Sequence, residues 1–189
     1  MNKDLDPVTL DLVVLLDDDG EPMGTAPRDE VHTEQTPLHL AFSCYVVGPA
    51  RRVLLTRRSL GKRTWPGVWT NSFCGHPRPG EDPVSAVHRY AARELGITIS
   101  DLRCVVPDFR YRAVDPSGVV ENELCPVYVG TSSDPVAENP SEVAEFRWLT
   151  IEELRDAVKT APWALSPWMV EQFAQLADGL GRLHKRVDS

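Results

Sequence analysis

The sequence predicts an α+β domain, a mixed β-sheet flanked by α-helices. Two observations carry that expectation. Strand-like apolar segments outnumber helical ones, and most connections between strands read as hairpin turns. A third bounds it: the 189 residues show no internal repeat and no low-complexity tract, so they fit one domain. Residues 11–183 form that domain in this reading, with 1–10 as an N-terminal extension and 184–189 as a C-terminal tail.

The elements follow in order. Residues 10–16 (LDLVVLL) read as a buried strand ended by the turn Asp17-Asp18-Asp19-Gly20. Residues 40–47 and 52–56, joined by Gly48-Pro49-Ala50, read as a hairpin-like pair. Segments 102–113 and 123–130 are rich in Val and Tyr and flank a turn at Asp115-Pro116-Ser117-Gly118. Residues 143–149 alternate as a half-buried strand, after a surface loop over 131–142. A helix over 83–95 takes Asp82 as N-cap, Pro83 at its first position and Gly96 as its stop. Val84, Val87, Ala91 and Leu95 give it an apolar stripe. A short helix over 151–158 follows Thr150. The last helix starts at Ser166-Pro167 and carries Met169, Phe173, Leu176, Leu180 and Leu183 on one side.

Charge and composition exclude several function classes. The net charge of −8 argues against nonspecific binding to nucleic acid or anionic membranes. No apolar stretch reaches the ~20 residues of a membrane helix, and the N-terminus lacks signal-peptide character. Cys44, Cys74, Cys104 and Cys125 form no CxxC pair and read as reduced thiols. The expectation is a soluble cytoplasmic protein with a small-molecule ligand, without nucleic-acid or membrane partners; the oligomeric state is not legible. An anionic ligand would need a local basic cluster, and Arg57, Arg58, Lys62 and Arg63 are the densest basic run.

The most specific feature is 74–97, CGHPRPGEDPVSAVHRYAARELGI. It resembles the Nudix box, G-x5-E-x7-R-E-U-x-E-E-x-G-U with U apolar. Gly75, Glu81, Arg89, Ala91, Glu94, Gly96 and Ile97 fall on the pattern. A loop leading into a helix with carboxylates is a means of holding Mg2+ against a diphosphate. Tyr90 and Arg93 stand where the hydrolases of that superfamily keep glutamates, which argues against hydrolysis.

Around this box the chain resembles the type 1 isopentenyl-diphosphate isomerases from about residue 12 to about 175. The matching strings are HLAFS (39–43), TRRSLGKRTWPGVWTNSFCGHP (56–77), PDFRYRAVDPSGVVENELCPV (107–127) and APWALSPWMV (161–170). The resemblance implies a Nudix-like fold and interconversion of isopentenyl and dimethylallyl diphosphate in isoprenoid biosynthesis. It also implies a metal held by His32, His39, His76, Glu121 and Glu123. Positions i and i+2 of a strand share a face, so the two carboxylates can converge on one ion. Such a shell suits Mn2+, Zn2+ or Mg2+. His88 and His184 match nothing and read as surface residues.

By the same resemblance Arg58 and Lys62 contact the diphosphate, Arg28 replaces a lysine there, and Arg89 supports it. Glu94 and the main chain at Cys74 hold a second Mg2+ bridging to the diphosphate. Proton transfer falls to Cys74 and to Glu123 with Tyr111, while Trp168 faces a carbocation. Trp65, Trp69 and Trp163 read as pocket wall or core.

Overall fold

The structure is a computed structural model describing residues 11–183, with side chains described through residue 176. The N-terminal extension, the tail, His184 and the side chains of Leu180 and Leu183 lie outside the described residues. Strands β1 (Leu12–Leu16), β2 (Pro22–Pro27) and β3 (His39–Leu40) lead into β4 (Phe42–Val47) and β5 (Val53–Arg58). Two short strands, β6 (Trp69–Thr70) and β7 (Phe73–Gly75), precede helix α1 (Pro83–Leu95). Then come β8 (Ser100–Val106), β9 (Arg110–Val114), β10 (Val120–Leu124), β11 (Val127–Thr131) and β12 (Val143–Leu149). Helices α2 (Ile151–Thr160) and α3 (Pro167–Leu183) close the order.

Where the sequence suggests one sheet, there are two. The first runs β2-β1-β3-β10-β9; the second runs β12-β5-β4-β11-β8, with β6 beside β5 and β7 beside β4. The division comes from proline. Segments 39–47 and 123–131 run parallel throughout, as β3 beside β10 and then β4 beside β11. Both pass from the first sheet to the second near Ala41 and Cys125-Pro126, held by Ala41 N–H to Leu124 O (2.9 Å) and Ser43 N–H to Pro126 O (3.0 Å). Pro126 has no N–H to offer a ladder, and Pro107 likewise parts β8 from β9. The segments expected as single strands, 102–113 and 123–130, are therefore each divided between sheets. A mouth opens where the sheets separate.

The β4–β5 hairpin is paired at its base, Val47 opposite Val53, and then splays. Residues 69–75 fill the gap: β6 pairs β5, β7 pairs β4 with Cys74 opposite Ser43, and Ser72 Oγ links Val46 N–H (2.7 Å) to Leu54 O (2.6 Å). Alternation along β4 sorts its side chains between two layers. Phe42, Cys44 and Val46 pack with Ala86, Val87, Tyr90, Ala91 and Leu95 of α1. Tyr45 faces the other way, toward Leu154 of α2 and Met169, Phe173 and Leu176 of α3.

Helix α1 has the expected ends: Asp82 accepts from Ser85 N–H at 2.9 Å, and Gly96 sits at φ 65°. Val84, expected in its stripe, is 42% exposed, and Tyr90 and Ala86 take the buried face instead. Tyr90 explains Gly75, since a Cβ at residue 75 would lie 2.6 Å from the Tyr90 ring. That close approach presses the strand end carrying Cys74 and His76 onto α1. Trp163, expected in core or pocket wall, is 84% exposed. The one-turn 3-10 segment Pro162–Ala164 turns it outward and buries Leu165 in its place.

Candidate functional site

Glu123 lies opposite His39 on β3 and opposite Tyr111 on β9, so one row of the first sheet carries all three. His76 follows β7 of the second sheet, and His32 lies in the loop after β2. The three imidazole centroids form a triangle with sides of 5.1, 5.1 and 5.7 Å. Ligand atoms of His32, His39, His76 and Glu123 all lie within 4.8 Å of one another. Glu121 joins them through Oε2, which is 3.0 Å from His32 Nε2.

This donor set fits a divalent cation. His39 Nδ1 lies 3.0 Å from Pro37 O, and a carbonyl only accepts, so Nδ1 carries the hydrogen and Nε2 offers a lone pair. That lone pair faces Glu123 Oε1 at 3.5 Å, acceptor against acceptor. His32 Nε2, His39 Nε2, His76 Nδ1 and Glu121 Oε2 are buried with no hydrogen-bond partner. Buried polar atoms are costly when unsatisfied, and this many pointing together indicates a site for a positive charge. Burial, the largest influence on His39, pulls its pKa down, but Glu123 and the Pro37 carbonyl outweigh it and the net shift is upward. In His76 burial prevails, lowering the pKa to about 4. Burial, the largest influence on Glu123, raises its pKa, but the adjacent His39 and His76 imidazoles outweigh it and hold the carboxyl well below its usual range.

Glu123 divides its oxygens. Oε1 is turned to His76 Nε2 (3.1 Å) and His39, whereas Oε2 accepts from Tyr111 Oη at 2.9 Å. Cys74, half-buried on β7, lines the same cavity as Glu123 and Tyr111. Burial pushes its thiol up to about 11 against the opposing hydrogen bonds of Ser43 and Asn71. Trp168 is buried beside Trp65 and Tyr111, with ring centroids 5.4 and 5.6 Å away, and its Nε1–H donates to Asn71 Oδ1 at 3.1 Å.

These groups line a cavity of about 600 Å³ whose outer wall is basic: Arg28, Arg58, Lys62 and Arg63 all reach it. Arg58 is braced by Thr64 O (2.8 Å) and stands 5.4 Å from the Trp168 ring centroid. Arg28 donates to Asp11 Oδ2 at 3.0 Å. Lys62 and Arg93 both pair with Glu142. Arg89 does not line the cavity; it grips Glu81 with two hydrogen bonds (2.8 and 2.6 Å) and ties the loop after β7 to α1. Glu94 is buried near Lys62, and burial pushes its carboxyl up to about 7.

Sequence and fold comparisons identify relatives of the chain. The NUDIX domain family matches residues 37–170. An isopentenyl-diphosphate Delta-isomerase of Clavibacter sepedonicus is 57% identical over 170 residues, 90% of this chain and 90% of that one. The chain belongs to the isopentenyl-diphosphate Delta-isomerase family. The namesakes from Frankia alni (57% identical, 90% of this chain and 89% of that one) and Mycolicibacterium vanbaalenii (55%, 92% and 96%) agree. A solved Deinococcus radiodurans protein superposes with TM-score 0.67 at 20% identity, over 87% of this chain and 98% of that one. A MutT NUDIX hydrolase from Burkholderia pseudomallei gives 0.56 at 20%, over 74% and 98%, so the α+β NUDIX fold is shared. Among the described residues no helix is long and apolar enough to cross a membrane.

Around this cavity, sequence reasoning missed several side chains. Thr64 Oγ1 donates to Glu121 Oε1 at 2.5 Å, and Asp115 accepts from Trp65 N–H at 2.7 Å. Glu142 sits in the stretch expected as a plain surface loop. Burial is the largest influence on its carboxyl and raises it, but Lys62 and Arg93 more than offset that and hold it below its usual range. A depressed acid contributes stability above its unfolded pKa of about 4.3, and loses it as pH falls through the folded value. Glu142→Gln should therefore cost on the order of 1–3 kcal/mol at pH 7. Urea melts of parent and variant should draw together as pH falls from about 4.3 through the lower folded value. A deficit that stays equal across that range would show that charge at Glu142 is not the cause.

Proposed function

We propose that the chain interconverts isopentenyl diphosphate and dimethylallyl diphosphate, and that Cys74 and Glu123 handle the two protons. The observation that carries this reading is that Cys74, its thiol pushed up by burial, and Glu123, its carboxyl held low, line one cavity. The Trp168 indole lines the same cavity, together with Arg28, Arg58, Lys62 and Arg63. The names of the relatives agree with it.

In this mechanism Arg28, Arg58 and Lys62 hold the diphosphate at the basic wall, which orients the five-carbon chain inward. One proton joins the terminal methylene carbon, leaving a tertiary cation. A second proton leaves the methylene next to the carbon bearing the diphosphate, and the double bond forms there. Cys74 and the Glu123–Tyr111 pair serve these opposite transfers, so their protonation states exchange in each turnover. Trp168 presents its ring to the cation, where a desolvated contact contributes roughly 2 kcal/mol. Close packing of Trp168 and Tyr111 excludes the water that would quench it.

His32, His39, His76, Glu121 and Glu123 would hold a divalent ion, Mn2+, Zn2+ or Mg2+, and Glu94 with the Cys74 main chain would hold Mg2+ at the diphosphate. When bound, such ions supply positive charge against the carboxylates and the diphosphate. Positions 90 and 93 of the helix give hydrolysis no further carboxylate. Arg93 is committed to Glu142 and Tyr90 packs under Gly75.

The test is incubation of the pure protein with isopentenyl diphosphate and Mg2+ in heavy water. Dimethylallyl diphosphate carrying solvent deuterium is the expected product. Released phosphate without isomer would support a hydrolase and overturn the proposal.

A further inference from the structure

Resting on the reading that Cys74 exchanges protons, we propose that Ser43 and Gln172 are positioning residues for its thiol. Neither residue lines the cavity, and both are fully buried, with 0% exposure. Their effect runs through hydrogen-bond direction. Tyr45 Oη donates to Gln172 Oε1 at 3.0 Å, which turns the amide nitrogen the other way. Gln172 Nε2 then donates to Ser43 Oγ at 2.8 Å. With that lone pair occupied, the Ser43 hydrogen is left for sulfur: Cys74 Sγ at 3.3 Å or Cys125 Sγ at 3.4 Å.

Asn71 forms the opposite arm. Its Nδ2 hydrogens go to Cys44 O (3.1 Å) and Phe73 O (2.7 Å), so its carbonyl is fixed toward Cys74 Sγ at 3.3 Å. With its own hydrogen taken by Asn71, the Cys74 sulfur can only accept from Ser43, whose one hydrogen serves Cys74 or Cys125. Trp168 and Gln172 stand four residues apart on α3, on one helix face. One turn of that helix sets both arms, through Trp168 Nε1–H on Asn71 and through Gln172 on Ser43.

Gln172 would have an ordinary role if it only satisfied the buried Tyr45 hydroxyl. The variants Gln172→Met, Ser43→Ala and Ser43→Thr separate the two. Each is measured in the 189-residue, Mg2+-supplemented enzyme below its melting temperature. Readouts are kcat and KM separately, and the alkylation rate of Cys74 by iodoacetamide, located by peptide mass. Loss of a partner that orients a reacting group typically costs 10–100-fold, so Gln172→Met and Ser43→Ala should lower kcat by about that factor with KM within about twofold. Ser43→Thr, which keeps the hydroxyl, should recover most of it, and the alkylation rate should follow the same order.

Unchanged kcat and unchanged Cys74 alkylation in folded Gln172→Met and Ser43→Ala would overturn the proposal. Gln172→Glu supplies a pH readout. Its carboxylate accepts from both neighbours and draws the Ser43 hydrogen away from sulfur. Its kcat relative to the parent should then fall as pH rises, and a flat ratio counts against the proposal. A parent that makes no isomer defeats the functional reading instead, and the alkylation series still tests the positioning.

Discussion

Replacing Cys74 by alanine should lower turnover by about 10³-fold or more while the protein stays folded. The expectation of an intact fold comes from what the sulfur touches. Asn71 Oδ1 keeps Thr70 Oγ1 (2.8 Å) and Trp168 Nε1 (3.1 Å) as donors, and Ser43 Oγ keeps Gln172 and Cys125. No buried polar group is stranded, so the stability change should stay within about 1 kcal/mol. The His32, His39, His76, Glu121 and Glu123 set does not use the side chain, so metal content should be unchanged. Three measurements check this together: deuterium incorporation into product, a thermal melt and metal analysis. Retained turnover in a folded, metal-loaded variant would remove Cys74 from the chemistry.

What was legible in the sequence follows from where each signal resides. Helix α1 carries its own punctuation, Asp82-Pro83 at one end and Gly96 at the other, and it forms as read. Thr150 and Glu153 cap α2 reciprocally, and the helix runs to Thr160, two residues past expectation. Strand β2 was not legible. It is a mostly exposed edge strand beginning and ending in proline, with no apolar alternation to register. The division into two sheets was also hidden, because Pro107 and Pro126 sit inside Val- and Tyr-rich runs that read as continuous.

The ligands form a similar division. Glu121 and Glu123 announce themselves by i, i+2 spacing, but nothing local brings His32 or His76 to them; only resemblance did. Ser43, Asn71 and Gln172 lie up to 129 residues apart and meet only through strand register and helix packing. A faint signal existed for two of them. Ser43 interrupts the apolar run LAFSCYVV, and Gln172 sits one turn after Trp168 beside Phe173 on a core-facing helix. A polar residue where the pattern calls for an apolar one must find a buried partner.

Glu123→Gln should be as damaging to turnover as loss of Cys74, about 10³-fold, but it should differ in metal content. In the proposed mechanism the carboxylate has two separate duties. Oε1 faces His76 and His39, where a negative charge is needed to complete a cation site; Oε2 accepts from Tyr111 and is the oxygen free to exchange a proton. The two oxygens of one carboxylate can thus be engaged at once, which reconciles a metal ligand with an acid–base group. An amide keeps the shape and can still accept from Tyr111, yet it supplies neither the charge nor an exchangeable acid. The variant should therefore be folded, nearly inactive and depleted in the ion of the His/Glu group, whereas Cys74→Ala keeps that ion. If Glu123→Gln binds metal as the parent does and remains nearly inactive, Oε2 chemistry alone accounts for the loss. If excess metal restores its turnover, Glu123 serves only as a ligand, and the second proton-exchanging group must be sought at Tyr111.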